Sequence, residues 1–102
     1  MATKLQQMVW EKLKEIPQGK VTTYKLLANA LESRAVRAVA SAVGKNPYAP
    51  KVPCHRVVLS SGKIGNYTHP LGVKRKRELL ESEGIQIKDG KIVDFQKVLY
   101  KF

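Results

Sequence analysis

The chain has 102 residues, 43% of them hydrophobic, and carries a net charge of +11 at pH 7. Its length fits one domain, residues 1–102, and without a long apolar stretch or a secretory signal segment we expect a cytoplasmic protein, nucleoid-associated or nuclear, with no membrane contact. One cysteine and two histidines allow no internal disulfide and are a poor set of zinc ligands, so we expect a reducing compartment, no metal and no cofactor.

The N-terminal part of the chain has the pattern of two helices. Apolar residues at helical spacing predict a first helix over residues 3–16, which Pro17 ends. After a short extended piece, Thr22 or Thr23 can cap a second helix that runs to about residue 32. These helices would supply much of the apolar core.

A third helix is predicted from residue 34 to about residue 43, with Gly44 as its stop signal. Together with the second helix it forms the pattern of a helix-turn-helix over about residues 22–44. Apart from Arg37, almost no side chain of the third helix is longer than valine. Such a helix either packs closely on another helix or enters a narrow DNA groove with one inserted side chain.

The second half of the chain alternates loops with short elements. A loop over about residues 46–58 ends in a short apolar strand, and the basic run at residues 73–77 opens a helix to residue 83. The turn Asp89-Gly90 predicts a small hairpin in the C-terminal tail, residues 85–102, where Asp94 can cap a last helix. The fold class is therefore mainly α with a small β component, a winged helix-turn-helix-like single domain.

The charge is unevenly distributed. No acidic residue lies between Ser33 and Arg77, while this segment holds ten lysines and arginines and all eight acidic residues lie outside it. Mutual repulsion of so many cations is offset by a polyanion, which favours nucleic acid as the partner. A general solubilising charge is the alternative.

The only cysteine stands in the run Pro53-Cys54-His55-Arg56-Val57. A neighbouring imidazole and guanidinium are typical of a reactive thiolate, which is the nucleophilic form of cysteine. A lone cysteine is also often a buried apolar residue. These neighbours alone leave both interpretations open.

Four motifs follow the predicted helix pair in order: Gly44-Lys45-Asn46-Pro47, Pro53-Cys54-His55-Arg56-Val57-Val58, Gly65-Asn66-Tyr67 and Leu79-Leu80-Glu81-Ser82-Glu83-Gly84. This order, from about residue 9 to residue 84, resembles the O6-alkylguanine-DNA alkyltransferase family. The resemblance implies a DNA repair protein that flips O6-alkylguanine out of the duplex. The alkyl group would pass irreversibly to Cys54, so that each molecule acts once as a methylated-DNA--protein-cysteine S-methyltransferase.

The resemblance also implies the catalytic roles. His55 would take the thiol proton of Cys54 through a water, and Glu83 would orient His55. The Tyr24 hydroxyl would donate to N3 of the leaving guanine. A solvated glutamate at a helix end and a core tyrosine are the alternatives for Glu83 and Tyr24.

Further residues are implied for DNA binding and for the base pocket. Arg37 would enter the duplex from the minor groove and fill the space of the extruded nucleotide. The partner is then double-stranded DNA that contains O6-alkylguanine, bound by a monomer. The other expected DNA contacts are Thr22, Thr23, Ala38, Ser41, Lys45 and Lys76. The expected pocket and structural residues are Asn46, Pro53, Arg56, Val57, Tyr67 and Thr68, with Arg56 structural rather than catalytic.

Three departures from the family pattern stand out. We expect a minimal form without the N-terminal domain that many members carry. The loop from Thr68 to Gly72 differs from the family's serine or threonine followed by glycines, which leaves the accepted alkyl groups open. Residues 85–102 lie beyond the resemblance and are expected to pack as a cover.

Three other functions were weighed. A non-catalytic alkyltransferase-like sensor would bind alkylated guanine and recruit another pathway, but such proteins generally lack the cysteine. A transcription regulator would display more base-reading side chains on its third helix. A cysteine peptidase finds no support in any sign of a peptide groove.

Overall fold

The structure is a computed structural model that describes residues 2–65 and 72–102. Tyr67 and Thr68, expected in the base pocket, lie outside the described residues. No helix of the described part is long and apolar enough to cross a membrane. The helices are α1 (Lys4–Leu13), α2 (Tyr24–Ala30), α3 (Val36–Gly44), α4 (Gly72–Ser82) and α5 (Phe95–Val98), the strands are β1 (Thr22–Thr23), β2 (Val57–Val58), β3 (Ile87–Lys88) and β4 (Lys91–Ile92), and one 3-10 turn covers Cys54–Arg56.

Helix α1 begins at a capping box and ends earlier than predicted. The Thr3 side chain accepts from the backbone N–H of Gln6, and Oε1 of Gln6 accepts from the backbone N–H of Thr3. The helix was expected to reach residue 16 but ends at Leu13. The backbone N–H groups of residues 14–16 each donate to the carbonyl three residues earlier, as in a 3-10 helix. The α-helix does not continue because a proline disfavours the α conformation in the residue before it.

Helices α2 and α3 form the predicted helix-turn-helix. Thr23 caps α2, since its hydroxyl accepts from the N–H of Leu26 at 3.0 Å. The chain reverses at Glu32, whose φ is +55°, and α3 begins at Val36, two residues later than expected. Trp10 joins α1 to α3 by donating its Nε1–H to the carbonyl of Ala42 at 2.8 Å.

Strands β1 and β2 pair in parallel and bring distant segments together. Thr22 lies opposite Val57, and Thr23 lies opposite Val58. Tyr24 follows β1 directly, and the 3-10 turn precedes β2 directly. This pairing therefore places the start of α2 beside the segment that carries Cys54.

The described residues pack around two apolar clusters. The larger lies between α1, α2 and α3 and includes Cys54. The smaller lies below the C-terminal hairpin and includes Val21, Leu80 and Ile92. Each cluster draws on segments far apart in the sequence, so neither forms from local structure alone.

The C-terminal tail is an integral part of the fold. The predicted hairpin is confirmed, with positive φ angles of 51° at Asp89 and 75° at Gly90 in its two-residue turn. Beyond it, the N–H of Val21 donates to the carbonyl of Val98 at 2.9 Å, and the N–H of Tyr100 donates back to Val21. The expected cap at Asp94 is wrong: its φ of +53° is left-handed, its side chain makes no capping bond, and α5 has four residues.

Candidate active site

Cys54 begins the 3-10 turn between the loop of residues 46–53 and strand β2. Its N–H donates to the carbonyl of Val52 at 2.8 Å. The residue is 5% exposed and belongs to the larger apolar cluster. A cysteine that only packs in the core would also be buried. The role of Cys54 therefore has to be inferred from the groups around its thiol.

His55, Glu83 and Arg56 form one buried polar cluster beside Cys54. Nε2 of His55 lies 2.9 Å from Oε2 of Glu83, the pairing that the sequence predicted. Arg56 binds the same carboxylate through two bonds, from Nε to Oε1 at 2.9 Å and from Nη2 to Oε2 at 2.7 Å. Its Nη1 donates to the carbonyl of Ile16 at 2.7 Å. Arg56 is therefore structural, as predicted, and fixes the carboxylate that holds the imidazole.

The protonation of this cluster follows from its surroundings. Burial lowers the pKa of His55 below its ordinary value, and the hydrogen bond and charge of Glu83 offset this only in part. Burial favours the protonated form of Glu83, but hydrogen bonds from Arg56 and His55 outweigh it and lower the pKa of that carboxyl. At neutral pH an ionised Glu83 therefore faces a neutral imidazole.

These charges assign the tautomer of His55. A carboxylate only accepts hydrogen bonds, so Nε2 carries the ring proton and Nδ1 carries the lone pair. Nδ1 is buried and bonds to nothing in the part of the chain that the structure describes. The imidazole is thus held as an acceptor of protons, one residue from the thiol.

Tyr24 and Lys76 complete the surroundings of Cys54. The pKa of Tyr24 is raised by burial and, to a smaller extent, by the charge of Cys54. Burial lowers the pKa of Lys76 to about 8, and attraction to Cys54 acts in the opposite direction. Nζ of Lys76 lies 6.0 Å from the centre of the Tyr24 ring. A phenol and an ammonium therefore share the environment of the only thiol.

Lys76 corrects one prediction and reveals a residue that sequence reasoning missed. We expected it to contact DNA, but the side chain is completely buried and Nζ donates to the carbonyl of Val57 at 2.7 Å. A phosphate outside the protein cannot reach it. One feature of the sequence could have indicated that Lys76 is buried. It lies four residues before Leu80, the other buried residue of α4, and this spacing puts both on one face of the helix.

The expected DNA contacts by Thr22 and Thr23 are also wrong for their side chains. Thr22 is completely buried and its hydroxyl donates to the carbonyl of Tyr100 at 2.9 Å. Thr23 is 4% exposed and its hydroxyl caps α2. Both are removed from the surface because β1 is covered by β2 and by the C-terminal tail.

The remaining predicted DNA contacts share the solvent side of α3. Arg37, Ala38, Ser41 and Lys45 are all exposed. The opposite side of the helix buries Val39, Ala42 and Val43 in the cluster that also contains Cys54. The buried side of α3 therefore packs closely as one interpretation predicts, and groove entry by the exposed side stays a prediction.

Asn46 stiffens the loop before Cys54. Nδ2 of Asn46 donates to the carbonyl of Val52 at 2.8 Å, and its Oδ1 accepts from the N–H of Tyr48 at 3.0 Å. Pro53 is buried and precedes the 3-10 turn, and Val57 is completely buried in β2. The position of Cys54 is therefore fixed from both sides of the turn.

In the described residues, neither a metal site nor the cleft beside α1 competes with this cluster. Among residues 2–65 and 72–102, no group of three or more His, Cys, Asp or Glu side chains could hold a metal ion. A cleft of about 680 Å³ lies between α1 and the loop, lined by Trp10, Tyr48 and Val52 among others. Cys54 and His55 do not line it. The chemistry that the described residues support is nucleophilic attack by a thiol with a neighbouring base.

The sequence is similar to one family model and to several curated proteins. Residues 4–85 match the family model described as 6-O-methylguanine DNA methyltransferase, DNA binding domain. A methylated-DNA--protein-cysteine methyltransferase of Candida glabrata is 45% identical over 84 residues, which are 81% of this chain and 40% of that protein. The Escherichia coli bifunctional transcriptional activator/DNA repair enzyme Ada is 48% identical over 82 residues, 79% of this chain and 23% of that protein. The chain spans half or less of the length of these relatives.

Two solved structures show different extents of similarity. The Mycobacterium tuberculosis OGT, crystallised in complex with DNA, gives a TM-score of 0.75 at 45% identity and covers 81% of this chain and 51% of that one. Atl1 of S. pombe, in complex with damaged DNA containing O6-carboxymethylguanine, gives a TM-score of 0.84 at 29% identity and covers both chains completely. Sequence identity is higher to the first, and the extent of the fold agrees better with the second.

Proposed function

Because the chain belongs to the 6-O-methylguanine DNA methyltransferase family, we propose that it repairs DNA by taking the alkyl group of O6-alkylguanine onto Cys54. The observation that carries this proposal is the pairing of His55 with Glu83 beside the only thiol of the chain. A packing cysteine would have no need of a buried, oriented base. Each molecule would act once, since nothing in the reaction returns the thiol.

The transfer is a single displacement. The thiol proton leaves to Nδ1 of His55, through a water as in the family's mechanism, and the Cys54 sulfur attacks the alkyl carbon. The new S–C bond forms as the C–O6 bond breaks, and the guanine carries away the bond's electron pair. Ionised Glu83 stabilises the imidazolium that results, because its charge favours the protonated ring.

Tyr24 is the group we propose to protonate the departing base. Burial raises the pKa of its hydroxyl, so the phenol keeps its proton at neutral pH. A retained proton can be donated to guanine N3 as negative charge grows on the base. Atoms and charges then balance: a thioether, a neutral guanine, a protonated His55 and a Tyr24 phenolate remain. Transfer of one proton from the imidazolium to the phenolate returns both side chains to their neutral forms.

Recognition of the substrate is assigned to the exposed side of α3. We propose that this helix approaches the minor groove of duplex DNA and that Arg37 occupies the place of the flipped nucleotide. Ala38 and Ser41 are short enough to permit close approach of the helix backbone, and Lys45 lies near its end for a phosphate. Extrusion of the base is required because the buried Cys54 thiol cannot reach O6 while the base is stacked in the duplex.

We also propose that the protein acts as a monomer in a reducing, intracellular compartment. One substrate and one thiol suffice for the reaction, and the thiol must stay unoxidised to react. Size-exclusion chromatography of the protein with and without duplex DNA tests the first point.

Intact-protein mass spectrometry tests the proposed transfer. The protein is incubated with a duplex that contains O6-methylguanine, and we expect the mass of one methyl group to be added at Cys54. Cys54→Ala should gain nothing, and an unmodified duplex serves as the second control. Absence of an adduct on the wild-type protein, with the lesion left in the DNA, would sink the proposal.

A second function has one observation in its favour. The complete overlap with Atl1 fits a sensor that binds alkylated guanine without removing the alkyl group. Cys54 argues against it, since a sensor needs no nucleophile. Tight binding of the lesion-containing duplex without any protein adduct in the same experiment would establish this alternative.

A further inference from the structure

The C-terminal hairpin belongs to a three-stranded ladder. Lys88 of β3 lies opposite Lys91 of β4, and Lys91 lies opposite Lys63 of the segment after β2. The N–H of Ile64 donates to the carbonyl of Gly90 at 3.0 Å, and the N–H of Ile92 donates to the carbonyl of Gly62 at 2.9 Å. Three lysines therefore stand side by side across the ladder.

The two faces of this ladder differ in polarity. Side chains alternate between the faces of a sheet, and the isoleucines next to the lysines face inward: Ile64 and Ile92 are buried and Ile87 packs against the same cluster. Lys63, Lys88 and Lys91 are all exposed. We call these three residues the lysine row.

The lysine row opposes the stability of the hairpin that carries it. Like charges directly opposite each other on neighbouring strands are destabilising, and strands of two residues have little stability of their own. Among residues 2–65 and 72–102, none of the three lysines forms an ion pair. Arg75 and Arg77 of α4, by contrast, lie near Glu78 and Glu81. An anionic partner would relieve the repulsion of the lysine row.

The spacing of the lysine row fits a nucleic-acid backbone. Neighbouring strands lie about 4.8 Å apart, so the three lysines span about 10 Å. One strand of duplex DNA places a phosphate about every 3.4 Å along its axis. Lysine ammonium groups bind phosphate as point charges on flexible arms. Because these side chains are flexible, each lysine can meet a phosphate of its own, up to three in all.

We propose that the lysine row is a second phosphate-binding surface, which contacts the backbone of duplex DNA apart from α3 and apart from Cys54. Two of its three members, Lys88 and Lys91, lie beyond the residues 4–85 that match the family model. The surface therefore extends beyond the part of the chain that the family model matches. The inference rests on the proposed function only in taking duplex DNA as the partner.

The test measures binding of the full chain to a fluorescently labelled, unmodified duplex over a range of salt concentrations. The variant Lys63→Gln/Lys88→Gln/Lys91→Gln removes the three charges. Each phosphate contact contributes about 0.9 to the slope of log K against log salt, so the slope should fall by about 2.7 and the affinity at physiological salt by about tenfold or more. The matching Lys→Arg variant keeps the charges and should keep the slope.

A control with the same charge change separates this surface from general electrostatics. Lys4, Lys12 and Lys14 of α1, changed together to Gln, should leave the slope within about one contact of the wild-type value. An equal fall in both triple variants would overturn the proposal, and so would an unchanged slope in the lysine-row variant. Circular dichroism should show the lysine-row variant folded and at least as stable as the wild type, because repulsion is removed.

The outcome is independent of the transfer reaction. A wild-type protein that gains a methyl group on Cys54, with no effect of the lysine row on DNA binding, defeats only this inference. A wild-type protein that binds DNA through the lysine row but gains no adduct defeats only the proposed transfer.

Discussion

The buried ammonium of Lys76 makes the stability of the protein depend on pH in a way that one substitution should abolish. Lys76 is completely buried, its Nζ donates to Val57, and its pKa is lowered from 10.5 to about 8 by burial. Lys76→Met keeps an unbranched side chain of similar length and removes the titrating group. The expected difference lies in the pH dependence of the free energy of unfolding.

The sign and the size follow from proton binding. Below about pH 8 the lysine is charged in both states, whereas between about 8 and 10.5 the unfolded chain keeps a proton that the folded protein has released. The unfolded state then binds more protons, so stability rises with pH in this window. At about 1.36 kcal/mol for each pH unit, wild type should gain about 2 kcal/mol between pH 8 and pH 10 relative to Lys76→Met, and about 3 kcal/mol over the whole window.

Urea unfolding measures this difference. Unfolding is followed by circular dichroism at several pH values from 7 to 10, with reductant to keep Cys54 free. Lys74→Met, an exposed lysine of the same helix, should retain the wild-type pH dependence. Parallel curves for wild type and Lys76→Met would refute the reasoning, because they would mean that Lys76 keeps an ordinary pKa in the folded state.

Three further predictions concern the proposed transfer. Glu83→Gln should slow single-turnover methyl transfer by about 100-fold or more, because an amide no longer fixes the tautomer of His55; a wild-type rate in a folded variant would contradict this. Tyr24→Phe should slow transfer by about 100-fold with unchanged duplex affinity, and an affinity loss that accounts for the whole rate change would count against proton donation. Arg37→Ala should slow transfer from duplex DNA at least about tenfold more than transfer from free O6-methylguanine, since about 1.4 kcal/mol of unstacking corresponds to that factor; equal losses on both substrates would exclude the wedge.

The sequence predicted the site where motifs carry the information. The family resemblance implies the pairing of His55 with Glu83, which lie 28 residues apart in the sequence, and the structure joins them at 2.9 Å. The helix-turn-helix and the hairpin turn followed from capping and turn residues, which act locally. Local signals of this kind survive in the sequence because they need no distant partner.

The errors come from contacts that no local pattern contains. Lys76 stands in a run of four cations, and only the docking of α4 against the core decides which of them points inward. Thr22 and Thr23 were expected at the surface because no residue near them in the sequence indicates that a parallel strand, 35 residues later, covers them. The early end of α1 has a local cause in Pro17. The helix was predicted to reach residue 16 because Ile16 continues the helical spacing of apolar residues.

Strand β1 is bounded on one edge by β2 and on the other by the C-terminal segment, where Val21 bridges to Leu99 and Thr22 bonds to Tyr100. Tyr24 continues directly from this strand. Local opening of a protein proceeds in cooperative units. Opening of the C-terminal segment therefore frees one edge of β1, the strand that fixes the position of Tyr24 at the start of α2. Amide hydrogen exchange at Val21 and Tyr100 should therefore report on the order of the thiol's surroundings, although Tyr100 is 46 residues from Cys54 in the chain.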